Sequence, residues 1–152
     1  MRKTLAMFAV LLLLPLATTA HAGWEIGAGL GDEIFGQTPA TAQLSYSFGG
    51  RFEQVVSVGG IGERQAGPRE ISRATAFLSY VVRIPIKRFY FGLGLLASSE
   101  KNAVISSTIP YTQTIGWRVN DRWMLELRHI SNLSREGRNI GENLLTLNYG
   151  FD

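Results

Sequence analysis

After residue 22, apolar and polar residues alternate with a period of two along most of the chain. Ala42, Leu44, Tyr46 and Phe48 interleave with Thr41, Gln43, Ser45 and Ser47. Successive side chains of a strand point to opposite faces, so this segment carries one apolar and one hydroxyl- and amide-bearing face. The same beat sets Ala74, Ala76, Leu78, Tyr80 and Val82 on one face. It then sets Phe89, Phe91, Leu93 and Leu95 against Tyr90, Gly92 and Gly94, and Tyr111, Gln113, Ile115, Trp117 and Val119 against Thr112, Thr114, Gly116 and Arg118. Trp123, Leu125 and Leu127 oppose Glu126 and Arg128, and Leu145, Leu147, Tyr149 and Phe151 oppose Thr146, Asn148 and Gly150. With weaker segments near 24–31 and 53–61, the pattern predicts about eight strands and almost no helix.

The connections alternate in length. Gly49-Gly50-Arg51, Ile84-Pro85-Ile86 and Asn120-Asp121-Arg122 read as tight turns, whereas 31–38, 62–71, 98–108 and 134–141 are longer, polar and rich in Gly or Pro. Short turns on one rim and long loops on the other imply an all-β fold, an eight-stranded antiparallel up-and-down transmembrane β-barrel over 23–152. In such a barrel the polar face lines the lumen. Glu126, Arg128 and Arg118 therefore point inward, and the alternating Leu, Trp and Tyr positions point to lipid. Trp117, Tyr111, Trp123, Tyr149 and Phe151 fall near strand ends, where interfacial aromatics belong. A soluble lipocalin-like barrel would invert the faces. The near-spanning strand lengths, with charges opposite the aromatics, favour the membrane form.

The first 22 residues read differently. Arg2 and Lys3 precede the apolar run Leu5 to Ala17, and Ala20-His21-Ala22 ends it as a small-x-small cleavage site. This is the pattern of a secretory signal peptide over 1–22, with the mature chain beginning at Gly23. An uncleaved anchor is the alternative, but the run is broken by Pro15 and is shorter than the roughly 20 apolar residues a spanning helix needs. With short turns and both termini periplasmic, Ile130 to Leu133 lie near the outer leaflet of the outer membrane of a Gram-negative cell.

Composition narrows the chemistry. The chain has no cysteine, which excludes disulfides, thiolate metal sites and cysteine nucleophiles. Its formal charge of +3 falls to near neutrality once Arg2 and Lys3 leave with the leader, so no nucleic-acid partner is expected. No metal-ligand cluster or phosphate loop is evident, and no cofactor is expected. Gly92, Gly94 and Gly116 read as relief of crowding inside a narrow barrel.

Of the two histidines, His21 lies in the leader and His129 in the barrel. His129 and Ser131 share the parity of Trp123, Leu125 and Leu127, which puts an imidazole and a hydroxyl on the lipid-facing side, where a purely structural strand would carry Leu or Val. Two residues apart on one face, their Cα atoms stand about 6.5 Å apart at roughly 3.3 Å of rise per residue. That suits a serine nucleophile with a histidine base. Asn132, Asn139, Gly141, Glu142 and Asn143 cluster in the following stretch, where an orienting acceptor and oxyanion donors would be needed. A histidine and serine merely solvated at a barrel rim is the bland alternative.

The stretch Arg128 to Asn143, with H-x-S-N at His129 to Asn132 and N-x-G at Asn139 to Gly141, resembles the carboxy-terminal signature of the lipid A 3-O-deacylase family. The resemblance implies a barrel esterase that removes the acyl chain ester-linked at the 3-position of lipid A. It implies His129 as general base, Ser131 as nucleophile, Asn139 and the Gly141 backbone as oxyanion donors, and an acid that orients the histidine. Glu142 follows Gly141 directly, whereas the family's glutamate stands two residues after the glycine, in the column Asn143 occupies. The third role therefore belongs to Glu142 or Asn143. By parity Asn143 faces out with His129 and Glu142 faces the lumen unless a bulge re-aims it. Asn132, Arg135 and Arg138 are the expected substrate contacts, and Arg64, Arg69 and Arg73, like Arg135 and Arg138, lie in or beside long loops where they could pair with lipid A phosphates or simply be solvated loop side chains. The expected partners are lipopolysaccharide and the membrane, with a homodimer left open. A non-catalytic small barrel (structural, adhesive or a small pore) and a lipid A acyltransferase are the rival functions.

Overall fold

The computed structural model describes residues 22–101, 104–105, 107–131 and 141–152. The leader assigned to 1–22 lies outside them but for Ala22. Eight strands close an antiparallel barrel: β1 (Gly23–Gly31), β2 (Ala40–Ser47), β3 (Glu53–Ile61), β6 (Thr75–Ile86), β7 (Phe89–Ser98), β8 (Tyr111–Arg118), β9 (Trp123–Ser131) and β10 (Glu142–Phe151). Between β3 and β6 stands a separate hairpin, β4 (Arg64–Gly67) with β5 (Glu70–Ser72). Each barrel strand pairs with its neighbour in the chain, and β1 pairs with β10 to close the ring, with Trp24 opposite Phe151 and Leu30 opposite Leu145. Closure matters energetically because it leaves no strand edge with unpaired N–H and C=O groups.

Two connections differ from the sequence pattern. Ile84-Pro85-Ile86 is strand rather than turn, and the chain reverses at Lys87-Arg88, with Lys87 at a φ of 57°. Pro85 is tolerated because β3 pairs with β6 only as far as Arg83, so beyond that point β6 has a partner on one side alone. The stretch expected as a loop over 62–71 carries the β4–β5 hairpin.

The alternation sorts side chains as it should in a barrel of this size. Leu44, Leu78, Leu93, Ile115, Leu125, Leu127, Leu145 and Leu147 face outward and exposed, while Glu25, Gln43, Ser57, Arg83, Glu126, Arg128 and Asn148 are buried inside. At mid-height Arg83 Nη1 donates to Glu25 Oε1 at 2.8 Å and Nη2 to Glu126 Oε2 at 2.9 Å, while the Tyr90 hydroxyl donates to the same Glu126 oxygen at 2.7 Å. Arg128 Nη2 reaches Glu126 Oε1 at 3.0 Å, and the Arg83 guanidinium stacks 4.5 Å above the Tyr90 ring. Buried charges persist only when paired, and here every carboxylate of the cluster faces a guanidinium. The axis of the barrel is thus filled with side chains.

Tyr90 needs the space that Gly116 leaves. A Cβ on Gly116 would fall 1.9 Å from the Tyr90 Cζ, so the glycine opposite makes room for the ring. Toward the long-loop rim the interior gains an apolar cluster: Ile61, Phe77, Leu96, Ile105, Ile130 and Leu144 are buried together. The lumen is therefore not uniformly polar as expected. A polar middle lies beneath an apolar cap, to which Ile105 of the β7–β8 connection contributes. At the opposite rim, an open cavity of about 920 Å³ is lined by Glu25, Glu53, Arg118 and Met124 among others. Outside that rim sit Trp24, Tyr46, Trp123, Tyr149 and Phe151, with the Trp24–Tyr46 and Trp123–Tyr149 rings edge to face at 5.0 Å.

Candidate functional site

His129 stands near the long-loop end of β9, at the far end of the barrel from the cavity. Its register partners are Asn143 on β10 and Gln113 on β8, so three polar side chains form a row across the outer face just above Leu127 and Leu145. Ile130 between His129 and Ser131 points into the apolar cap at 1% exposure, so burial alternates as far as Ile130 and then stops, since Ser131 beside it is buried as well. Ser131 is the last residue of β9, opposite Tyr111, and is 7% exposed.

The imidazole has a defined partner. His129 Nδ1 lies 2.8 Å from Asn143 Oδ1. Asn143 is held in turn by Asp32, whose Oδ2 accepts from the Asn143 side-chain Nδ2 at 2.8 Å and from its backbone N–H at 2.9 Å. Glu142 points the other way. Its carboxylate is inside the barrel at 1% exposure, ion-paired with Arg64, which donates from Nη1 to Oε1 at 3.1 Å, and it accepts the Asp32 N–H at 3.0 Å. Of the two residues put forward for orienting the histidine, Asn143 touches the ring and Glu142 is turned to the opposite face. The physical reason is the period-2 alternation itself, which no bulge interrupts between Glu142 and Tyr149.

Arg64 is a correction. Expected in a long loop, as a phosphate ligand or a solvated side chain, it is 3% exposed, binding Glu142 and the Asp32 carbonyl oxygen. The buried Glu142 carboxylate draws it in, since a charge out of water needs a counter-charge. Arg69 and Arg73 are exposed. Gly141 has a φ of +74°, and a Cβ there would stand 3.1 Å from both His129 Cε1 and the Ile130 carbonyl oxygen. Glycine therefore lets the backbone enter β10 directly against the imidazole. Asn132, Arg135, Arg138 and Asn139 lie outside the described residues.

No family model, curated protein or solved structure matches the chain. The chemistry of the site must be read from the side chains themselves. With the Asn143 oxygen toward the ring, the contact fits an Nδ1 that carries the hydrogen, and an uncharged ring in that tautomer keeps its lone pair at Nε2. A histidine held in this tautomer can take a proton from a nearby hydroxyl.

Asp32 was missed by the sequence reading, although a signal existed. Trp24, Ile26, Ala28 and Leu30 face outward, and one more step of the same alternation puts Asp32 on the outer face at the rim. What the pattern lacks is the neighbour: Asp32 and Asn143 are 111 residues apart and meet only because β1 pairs with β10.

Proposed function

We propose that this chain is an outer-membrane esterase that hydrolyses the 3-O-linked acyl chain of lipid A and releases a 3-hydroxy fatty acid. The observation that carries the reading is the half-buried His129 in a polar row above the apolar outer face, its Nδ1 engaged by Asn143, with Ser131 two residues further along the strand. The resemblance of His129 to Asn132 to the deacylase signature supports it. So does the apolar outer face of the barrel strands, which suits a protein embedded in lipid. A small pore would need an open axis, whereas Arg83, Glu126, Tyr90 and Arg128 fill this one.

In the proposed reaction Ser131 Oγ attacks the ester carbonyl carbon as its proton passes to His129 Nε2. The carbonyl oxygen becomes an oxyanion, for which Asn139 and the Gly141 N–H are the donors implied by the resemblance. Collapse of this intermediate breaks the bond to the sugar 3-oxygen, which takes the proton from His129 and leaves as the alcohol. Water then attacks the acyl-serine, giving its proton to His129, and the free acid departs as Ser131 regains a proton. An outward-facing site meets the ester where the acyl chains already lie, so the lipid need not be extracted from the bilayer.

Mass spectrometry of lipid A from cells expressing the chain tests this directly. The expected result is loss of one 3-hydroxyacyl chain with the native sequence and an unchanged lipid A with His129→Ala or Ser131→Ala. A gain of mass would instead indicate an acyltransferase, and no change with the native chain a non-catalytic barrel. The membrane setting has its own test. Leu147 is 47% exposed at the middle of β10, so Leu147→Arg is expected to lower stability in lipid vesicles by about 2–4 kcal/mol in urea titrations. A barrel that stays folded and monodisperse without lipid or detergent, and is indifferent to this substitution, would overturn the membrane reading.

A further inference from the structure

We propose that Asp32 is a positioning residue for His129: its carboxylate, acting through the side-chain amide of Asn143, holds the imidazole in the Nδ1–H tautomer and keeps Nε2 as the proton acceptor. An amide cannot do this alone. Its oxygen and nitrogen ends have nearly the same size, so a free Asn143 could turn over and present N–H to the ring, which would then have to protonate at Nε2. An ionised carboxylate is an acceptor only, and that breaks the symmetry. Asp32 Oδ2 accepts from Asn143 Nδ2 at 2.8 Å, which commits Oδ1 to His129 Nδ1 at 2.8 Å.

Asp32 is itself clamped. Its N–H donates to Glu142 Oε1 at 3.0 Å, its carbonyl oxygen accepts from Arg64, and its carboxylate also takes the Asn143 backbone N–H at 2.9 Å. The buried Arg64–Glu142 pair thus holds the backbone of residue 32 from inside the barrel wall, and the Asp32 side chain acts on the outer side. Three segments that are remote in the chain, the end of β1, the start of β4 and the start of β10, converge on this point. A structural rim gains stability from such contacts but has no use for a fixed ring tautomer. A proton acceptor needs it.

The catalytic part of this role rests on the deacylase reading; the tautomer does not, and the experiment separates them. In a His21→Gln background His129 is the sole imidazole of the chain, so nitrogen-15 NMR of the folded protein in detergent micelles reads its tautomer without assignment. The expected spectrum has a protonated Nδ1 and an unprotonated Nε2. Asp32→Asn should populate the Nε2–H form substantially, and the exchange Asp32→Asn with Asn143→Asp should restore the Nδ1–H form, since the carboxylate then accepts from the ring directly. In parallel, Asp32→Asn should lower kcat for deacylation by about 10²-fold with little change in KM, and the exchange should recover most of that loss. An Nε2–H ring in the native chain, or a tautomer indifferent to Asp32→Asn, overturns the proposal. A tautomer that shifts while kcat does not overturns its catalytic part. If the native chain does not deacylate lipid A, the functional reading fails, and the NMR result still decides what Asp32 does.

Discussion

Ser131→Ala and His129→Ala should each lower kcat for release of the 3-O-acyl chain by ~10³-fold or more, about 4 kcal/mol of transition-state stabilisation, with the barrel still folded. The magnitude follows from what is removed. In the proposed reaction no acyl-enzyme forms without the hydroxyl, and without the imidazole the hydroxyl would keep its proton and be a poor nucleophile. Because the two groups act as a unit, the double variant should be little worse than either single one. The measurement is fatty-acid release from purified lipid A in micelles, with the shift in electrophoretic mobility on boiling as the control for folding. A Ser131→Ala protein that kept a tenth or more of the native rate would remove the nucleophile from the scheme and leave the hydrolysis to a water molecule or another residue.

The second large effect belongs to the interior. Arg83→Leu should cost about 3–5 kcal/mol of stability, because it leaves Glu25 and Glu126 in the barrel without the guanidinium that bridges them. Glu126 retains Arg128 and Tyr90, but Glu25 loses both of the hydrogen bonds that Arg83 donates to it. The double substitution Arg83→Leu with Glu25→Leu removes one charge of each sign and should recover much of the loss, as replacement of a buried pair by apolar side chains often does. Urea midpoints at unchanged slope check both. If Arg83→Leu alone is as stable as the native protein, the buried network does not hold the barrel together, and the apolar cap and the strand ladder must suffice.

The faces of the barrel were legible residue by residue because they depend on a local rule. Each step along a strand turns the side chain over, so Leu125 and Leu127 had to lie opposite Glu126 and Arg128 once the strand was recognised. The same rule placed Asn143 with His129 and Glu142 against it. It failed at Pro85, where proline suggested a turn; the strand continues because its β3 partner has already ended. It was also silent about Arg64, whose position in a long polar connection resembles that of Arg69 and Arg73. Only the carboxylate waiting inside the wall distinguishes it from them.

The strand count, the two faces, the unequal rims and the His129–Ser131 spacing were thus determined by the chain's own order of residues, since each is a property of neighbours a few positions apart. The partners were not. Which side chain meets the imidazole, and what charge stands behind that side chain, depends on the first strand closing against the last. That pairing brings Asp32 to Asn143 across almost the whole length of the barrel sequence. Closure is a global event, driven by the cost of leaving backbone donors and acceptors unpaired along two open edges, and no window of sequence contains both edges at once.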